Sequence, residues 1–425
     1  MMIQRFPTPG IFANAYLVGD SSTRRAVVID PTRDVESILL FAKNERFTIT
    51  HIITTRIPNH FISGVKELSH RLDNKPLVET KEFSLGSIKL KPLTNGNHTV
   101  WLGYDEQRST RIPAVAFTGE ALLVGSVGHP KLVKNLYKIL FSDLNVLPDF
   151  VEIYPAVSAG SLAGKDISHK ISSTIGYERE FNPYFKQLSE NQWIKNVMSQ
   201  IPTLPSHLNK LITINEQGPE LLSELGGLKQ QGPTLYIDIR TPEAYAKGHL
   251  NDSINIPLGP AFCNWALAVL DKQYNPITIV HDNHLNIPTA LKQLCLIGFD
   301  KFTDYLLWNE EELGREYLIV ENPQVTVDEV NQQIDQLTII DVRTQGEWNE
   351  GHINGALHIE LNQIKDALDK IPRDKPIRTI CGSGYRSSVA ASFLKASGFD
   401  DVRNVEGGIR AWSTKGLNLQ HTFLS

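Results

Sequence analysis

The sequence predicts an α/β chain of several domains: a strand-rich N-terminal part, then two copies of an α/β unit built on a parallel sheet. Three observations support this. At 425 residues the chain suits two to four domains. Its C-terminal half repeats itself. Its N-terminal part has a different texture, with short apolar runs between Gly- and Asp-containing turns.

The repeat organises the rest. TLYIDIRTPEAYAKGHLNDSINIPL matches LTIIDVRTQGEWNEGHINGALHIEL, with Asp238 and Asp341 ending equivalent apolar runs and Gly248-His249 facing Gly351-His352. TIVHDNHLNIPTALKQLCLIGFD then matches RTICGSGYRSSVAASFLKASGFD at an offset of 100. Short β-branched runs (235–239, 377–380) alternate with helix-length stretches such as 387–397, the pattern of strands covered by helices on both faces. Gly298 and Gly398 follow the last helical residues, where a left-handed cap favours glycine. In the N-terminal part, strands are expected at 15–18, 26–30, 49–54, 114–118 and 122–124. The stretch 182–209, with Pro183, Pro202 and Pro205, reads as a helix plus linker. The expected division is 1–185, a helix and linker at 186–208, a first repeat at 209–318 and a second at 319–425.

Composition narrows the function. A net charge of −5 with no Lys/Arg-rich run argues against nucleic acid. No apolar stretch reaches membrane-span length, and MMIQRFPTPG lacks a signal peptide's apolar core, so a cytoplasmic protein without membrane partners is expected. The three cysteines, Cys263, Cys295 and Cys381, have no CxxC spacing and define neither a disulfide framework nor a zinc site. Cys263 and Cys295 lie in apolar helical stretches and read as core.

Cys381 differs. In IRTICGSGYRSSVA an apolar strand runs into Cys381, followed by Gly382, Ser383, Gly384, Tyr385 and Arg386, and Ser387 opens a helical stretch. The glycines let the backbone curl so that successive N–H groups point at one spot, and the helix N-terminus adds its free N–H groups and positive dipole end. A thiolate or persulfide anion is favoured there, and Arg386 supplies positive charge for an anionic donor.

On DVRTQGEWNEGHINGALHI, CGSGYRS and NVEGGIRAW, the segment 327–418 resembles the rhodanese family. The resemblance implies a sulfurtransferase that needs no cofactor, with Cys381 as persulfide carrier and Gly382 to Arg386 as its cradle. Its substrates would be a small sulfur donor and an acceptor thiol. Asp341 and Arg343 match supporting positions of the family; as exposed polar residues they could steer the loop or be structural. Cysteine phosphatases place five residues between Cys and Arg, whereas four separate Cys381 from Arg386, a loop better suited to a single sulfur atom.

In the first repeat the equivalent loop has His281 for Cys381, Asp282 and His284 for the glycines, and Asn286 for Arg386, with Pro288 near the helix start. It reads as an inactive copy, its two histidines exposed and without a special role.

The segments AVVIDPTRDVESIL, FISGVKEL, FTGEALLVGSVGHPKL and YPAVSAGSLAGKDISHKISSTIGYEREFNP resemble a metallo-β-lactamase-like domain of the persulfide dioxygenase kind, which implies an αββα sandwich and a fusion of dioxygenase and sulfurtransferase modules. The family's ligand positions fall on Arg56, Pro58, His60 and Phe61, its bridging aspartate on Ser126, its Gly-His-Gly on Ala156, Val157 and Ser158, and its Thr-Pro-Gly-His on Thr94 to Asn97, where a one-residue insertion restores His98. Iron in this family needs two histidines and an aspartate. No metal is therefore expected, His51, His60 and His98 being solvated or capping residues. The domain would serve as a scaffold that retains a homodimer surface. The alternatives are a persulfide-responsive scaffold without turnover and, if a metal were retained, a dioxygenase.

Overall fold

The computed structural model describes residues 1–161, 163–164, 166–200, 208–222, 234–271 and 276–421. The chain forms two compact units, Met1–Ile201 with Asn209–Leu222, and Ser223–Ser425 with Pro202–Leu208.

The first unit contains two principal sheets. One has five strands in the order Met2–Thr8, Ala13–Gly19, Arg25–Ile29, Thr48–Ile53 and Leu77–Val78. The other has six, in the order Ser173–Thr174, Glu152–Pro155, Val115–Gly119, His98–Asp105, Ile88–Asn95 and Phe83–Ser84. Strand side chains alternate between faces, and here both faces are covered. Tyr16, Val18, Val27 and Ile29 meet Leu90, Trp101 and Phe117 between the sheets. Leu17 and Val28, facing the other way, pack on Ile38 and Leu68 of the helices Glu36–Asn44 and Val65–Arg71. On the far side, Val100, Leu102 and Ile153 pack on Leu140, Trp193 and Val197. Helix, sheet, sheet, helix: this is the αββα sandwich, and its double coverage explains why every residue of Ala13–Gly19 is buried.

The helix expected ahead of the first repeat packs into this core. Helix Glu190–Met198 buries Trp193 and Val197, and Trp193 Nε1 donates to the Tyr184 carbonyl at 2.6 Å. Residues expected to open the first repeat also belong here. Asn215 donates to the carbonyls of Pro58 and Phe61 at 2.8 and 2.9 Å, and accepts from the Ser63 N–H at 2.8 Å. The two buried residues of helix Glu190–Met198 are too few to reveal a core face in sequence. Residues 201–207 lie outside the described segments.

The second unit holds both repeats. Each has a four-stranded parallel sheet, ordered Ile254–Asn255, Leu235–Asp238, Ile277–His281, Phe302–Leu307 in the first, and Leu357–His358, Thr338–Asp341, Ile377–Ile380, Val402–Asn404 in the second. In the second sheet the order reverses between Thr338–Asp341 and Ile377–Ile380, so their following segments diverge and leave a crevice beyond their C-terminal ends. Cys381 follows one of those strands. Helix Tyr385–Ala396 starts two residues before the expected 387, because Gly384 at φ +96° forms its N-cap. Gly298 and Gly398 take φ of +86° and +83°, as expected of left-handed caps. No described helix is long and apolar enough to cross a membrane.

If helix Glu190–Met198 is part of the sandwich core, Trp193→Ala should cost about 3–5 kcal/mol, read as an earlier urea transition of the first unit by tryptophan-independent circular dichroism.

Candidate active site

The loop that follows Cys381 is held from behind. The carbonyl of Cys381 accepts from the N–H of Ile409 at 2.7 Å, and that of Gly382 accepts from the N–H of Arg410 at 3.2 Å. The Gly384 carbonyl accepts from Asn404 Nδ2 at 2.9 Å. With these carbonyls drawn back, the N–H side of the loop turns inward. Gly408 permits this approach: at φ +58°, a Cβ there would lie 2.2 Å from the Cys381 oxygen. The motif NVEGGIRAW is thus the clamp of the loop.

Cys381 is buried, at 1% exposure. Its Sγ receives the Gly384 N–H at 3.2 Å and the Ser387 hydroxyl at 3.3 Å. Both donors favour negative charge on sulfur. Tyr385 remains exposed at the mouth. Arg386 does not stand free: Nη1 and Nη2 donate to Glu347 at 2.8 and 2.5 Å. Burial would raise the Glu347 carboxyl, but Arg386 and the Thr344 N–H and hydroxyl outweigh it and hold it at about 2. Glu347 is not legible as a site residue in the sequence. Its spacing from Thr344 does announce a capping box, which is present, but not its reach to Arg386.

Asp341 and Arg343 are buried, not exposed. Arg343 Nη2 donates to Asp341 at 2.7 Å and to the Gly351 carbonyl at 2.7 Å. The first repeat has the same fork, with Arg240 Nη2 on Asp238 at 2.6 Å and on the Gly248 carbonyl at 2.7 Å. A fork present with and without the cysteine holds the fold rather than the sulfur.

In the first unit, the residues at the expected ligand positions pair with buried neighbours. Arg56 forms an ion pair with Glu120, both side chains buried. His60 Nδ1 lies 2.8 Å from Asn59 Oδ1 and 3.7 Å from Glu120. His98 Nε2 donates to the Thr118 carbonyl at 3.0 Å. Burial lowers His60 to about 3 and His98 to about 4, keeping both neutral. The acid of this cluster is Glu120, not a residue at Ser126, whose carbonyl instead accepts from Asn182. His51 is also elsewhere, stacked on Phe83 with centroids 4.2 Å apart. A divalent ion requires several deprotonated ligands, and a guanidinium beside the acid competes with it. Among the described residues no group of three His, Cys, Asp or Glu converges. These residues do not fit a centre of two histidines and one aspartate.

The rhodanese-like domain model matches residues 221–306 and 326–415. A thiosulfate sulfurtransferase of Shewanella oneidensis is 35% identical over 74 residues, 17% of this chain and 73% of that protein. The chain belongs to the rhodanese-like family. A putative sulfurtransferase of Bacillus subtilis is 41% identical over 78 residues, 18% of this chain and 75% of that protein. The chain spans about half of a putative sulfur carrier protein of the same organism, 35% identical over 96 residues, 22% of this chain and 52% of that protein. A solved metallo-beta-lactamase from Staphylococcus aureus superposes with a TM-score of 0.65 at 29% identity, covering 72% of this chain and 99% of that one.

The first rhodanese-like repeat has the strand and helix but not the loop. His281 ends strand Ile277–His281 and is fully buried, contrary to the exposed position expected. Neither of its ring nitrogens has a hydrogen-bond partner, and its ring meets that of His284 at 4.8 Å. Helix Ile287–Leu296 begins later than its counterpart because Asn283 caps a 3₁₀ turn at His284–Asn286 and Pro288 enters the first helical turn. Cys263 is buried and its thiol, pushed up by burial, donates to the Gln293 carbonyl at 3.4 Å. Cys295 is half-buried rather than core.

Arg386→Gln should raise the KM for thiosulfate by roughly 10–100-fold, since it removes a charge-assisted donor and leaves Glu347 unpaired. Glu347→Gln, which retains the guanidinium, should not. In the first unit, Glu120→Gln should cost about 3–5 kcal/mol by leaving Arg56 buried without its counter-ion, measured by denaturant melts.

Proposed function

We propose that this chain is a sulfurtransferase moving sulfane sulfur from thiosulfate or a persulfide to an acceptor thiol through Cys381. The observation that carries the reading is the pair of donors directed at Cys381 Sγ, from Gly384 and Ser387, at the mouth of a helix. The Cys381 thiolate attacks the outer sulfur of the donor, forming an S–S bond while the donor's own S–S bond breaks. Sulfite or a thiolate leaves with that electron pair. The resulting persulfide anion occupies the field that held the thiolate. An acceptor thiolate then attacks its outer sulfur, and Cys381 departs as thiolate. Arg386 meets the anionic donor, and Ser383 and Tyr385 complete the loop. His281 and Asp282, in the equivalent place of the first repeat, offer neither nucleophile nor anion cradle. The N-terminal sandwich acts as a non-catalytic scaffold, a reading supported by the Arg56–Glu120 pair buried in it.

Incubation of the full chain with thiosulfate should add about 32 Da at Cys381, one sulfur atom, and Cys381→Ser should abolish it. Loading retained on Cys263 or Cys295 would overturn the single-site reading, and one stoichiometric loading without turnover would indicate a sensor instead. Protein produced in iron-supplemented medium should carry no stoichiometric iron and take up no oxygen with a persulfide. Near one iron per chain with oxygen uptake would make the first unit a dioxygenase.

A further inference from the structure

We propose that the first repeat, which lacks the cysteine, positions the reactive loop of the second through Asn255. This rests on the reading of Cys381 as the sulfur-carrying residue.

Residues 387–394 of helix Tyr385–Ala396 are all buried. A helix with no exposed face along its middle must be covered on more than one side. Its own sheet covers one side, where the Thr379 hydroxyl donates to the Ser387 carbonyl at 2.8 Å. Ser388 and Ser392, four residues apart and therefore on one face, are 4% and 1% exposed. Buried hydroxyls need partners: Ser392 donates to the Val389 carbonyl at 3.0 Å, and the first repeat supplies the others. Ser388 Oγ donates to Asn255 Oδ1 at 2.6 Å, and the Asn255 N–H donates to Ser392 Oγ at 2.9 Å. Asn255 Nδ2 donates in turn to the carbonyls of Asp238 and Arg240, both at 3.0 Å. Asn255 is therefore fully buried and paired on every side-chain polar atom, a fixed link between the strand ends of one repeat and the first turns of the helix in the other. Ser388 directly follows Ser387, whose hydroxyl touches Cys381 Sγ.

The register makes the assignment sharper. Asn255 pairs with Asp238 as His358 pairs with Asp341, so His358 is its counterpart. His358 Nε2 donates to the Arg343 carbonyl at 2.9 Å, the same inward task that Asn255 Nδ2 performs on Arg240. The amide has in addition an outward acceptor, Oδ1, and it reaches Ser388. Two further contacts run the same way. Lys365 Nζ donates to the Leu270 carbonyl at 3.1 Å, and Trp265 faces Tyr385, the first residue of the helix, with ring centroids 6.5 Å apart. Residues that orient a reactive group through a second hydrogen bond commonly carry a 10–100-fold effect, so Asn255 is a positioning residue.

The test uses the full chain with Asn255→Ala, Ser388→Ala and the double variant. Thermal melts establish folding, and Ser388→Ala, the smaller deletion, serves if Asn255→Ala misfolds. Each single variant should lower kcat for thiosulfate-driven transfer roughly tenfold while KM moves less than about twofold. The double variant should be no worse than either single, since both break one link. Iodoacetamide alkylation of Cys381 should slow roughly threefold or more in each variant, a readout that needs no turnover. Wild-type kcat and alkylation in a folded Asn255→Ala, or singles whose losses multiply in the double, would overturn the proposal. A wild-type chain that loads no sulfur would overturn the transferase reading instead, and the alkylation comparison would still decide the role of Asn255.

Discussion

Everything at the reactive loop depends on the hydrogen bond from the Ile409 N–H to the Cys381 carbonyl, 2.7 Å long. A peptide unit has a donor side and an acceptor side, and a loop of six residues cannot satisfy both internally. Drawing the carbonyls of Cys381 and Gly382 onto the start of helix Gly408–Thr414 commits the opposite side to the sulfur. Only glycine can stand at 408, because any Cβ would collide with that carbonyl. The donors at Sγ are thus a consequence of a clamp twenty-odd residues downstream.

The two repeats separate what the fold requires from what the chemistry requires. The buried carboxylate–guanidinium fork occurs in both, with nearly identical distances. It holds the glycine carbonyl at the end of the following helix, and a buried charge survives only when paired and hydrogen-bonded. The glycine-lined loop occurs once. Where it is missing, Asp282 and Pro288 take positions that an anion cradle could not tolerate. The first repeat nevertheless remains packed on the second, since the buried serines of helix Tyr385–Ala396 hydrogen-bond to it.

The N-terminal sandwich shows the same economy of charge. Its interior encloses a guanidinium with a carboxylate, Arg56 with Glu120. The neighbouring histidines stay neutral because burial opposes their protonation. Helix Glu190–Met198 and residues 209–222 belong to this unit.

The sequence by itself determined the parallel repeats, the strand ending at Cys381, the glycines of the loop and the loss of that loop in the first repeat. These features are local: a β-branched run, a Cys-to-Arg spacing and an internal offset of 100 are all legible along one chain. It also disclosed the αββα sandwich, through resemblance rather than periodicity, because strands buried on both faces lose the alternation that marks a half-exposed sheet. Tertiary structure alone decided the partners. Glu347 lies 39 residues from Arg386, Glu120 lies 64 from Arg56, and Asn255 lies 133 from Ser388. A carboxylate or amide carries no sequence mark of the charge it will meet, since pairing is set by where packed sheets bring strand ends together. For the same reason Asp341, Arg343 and His281 read as exposed polar residues, and only packing showed them buried.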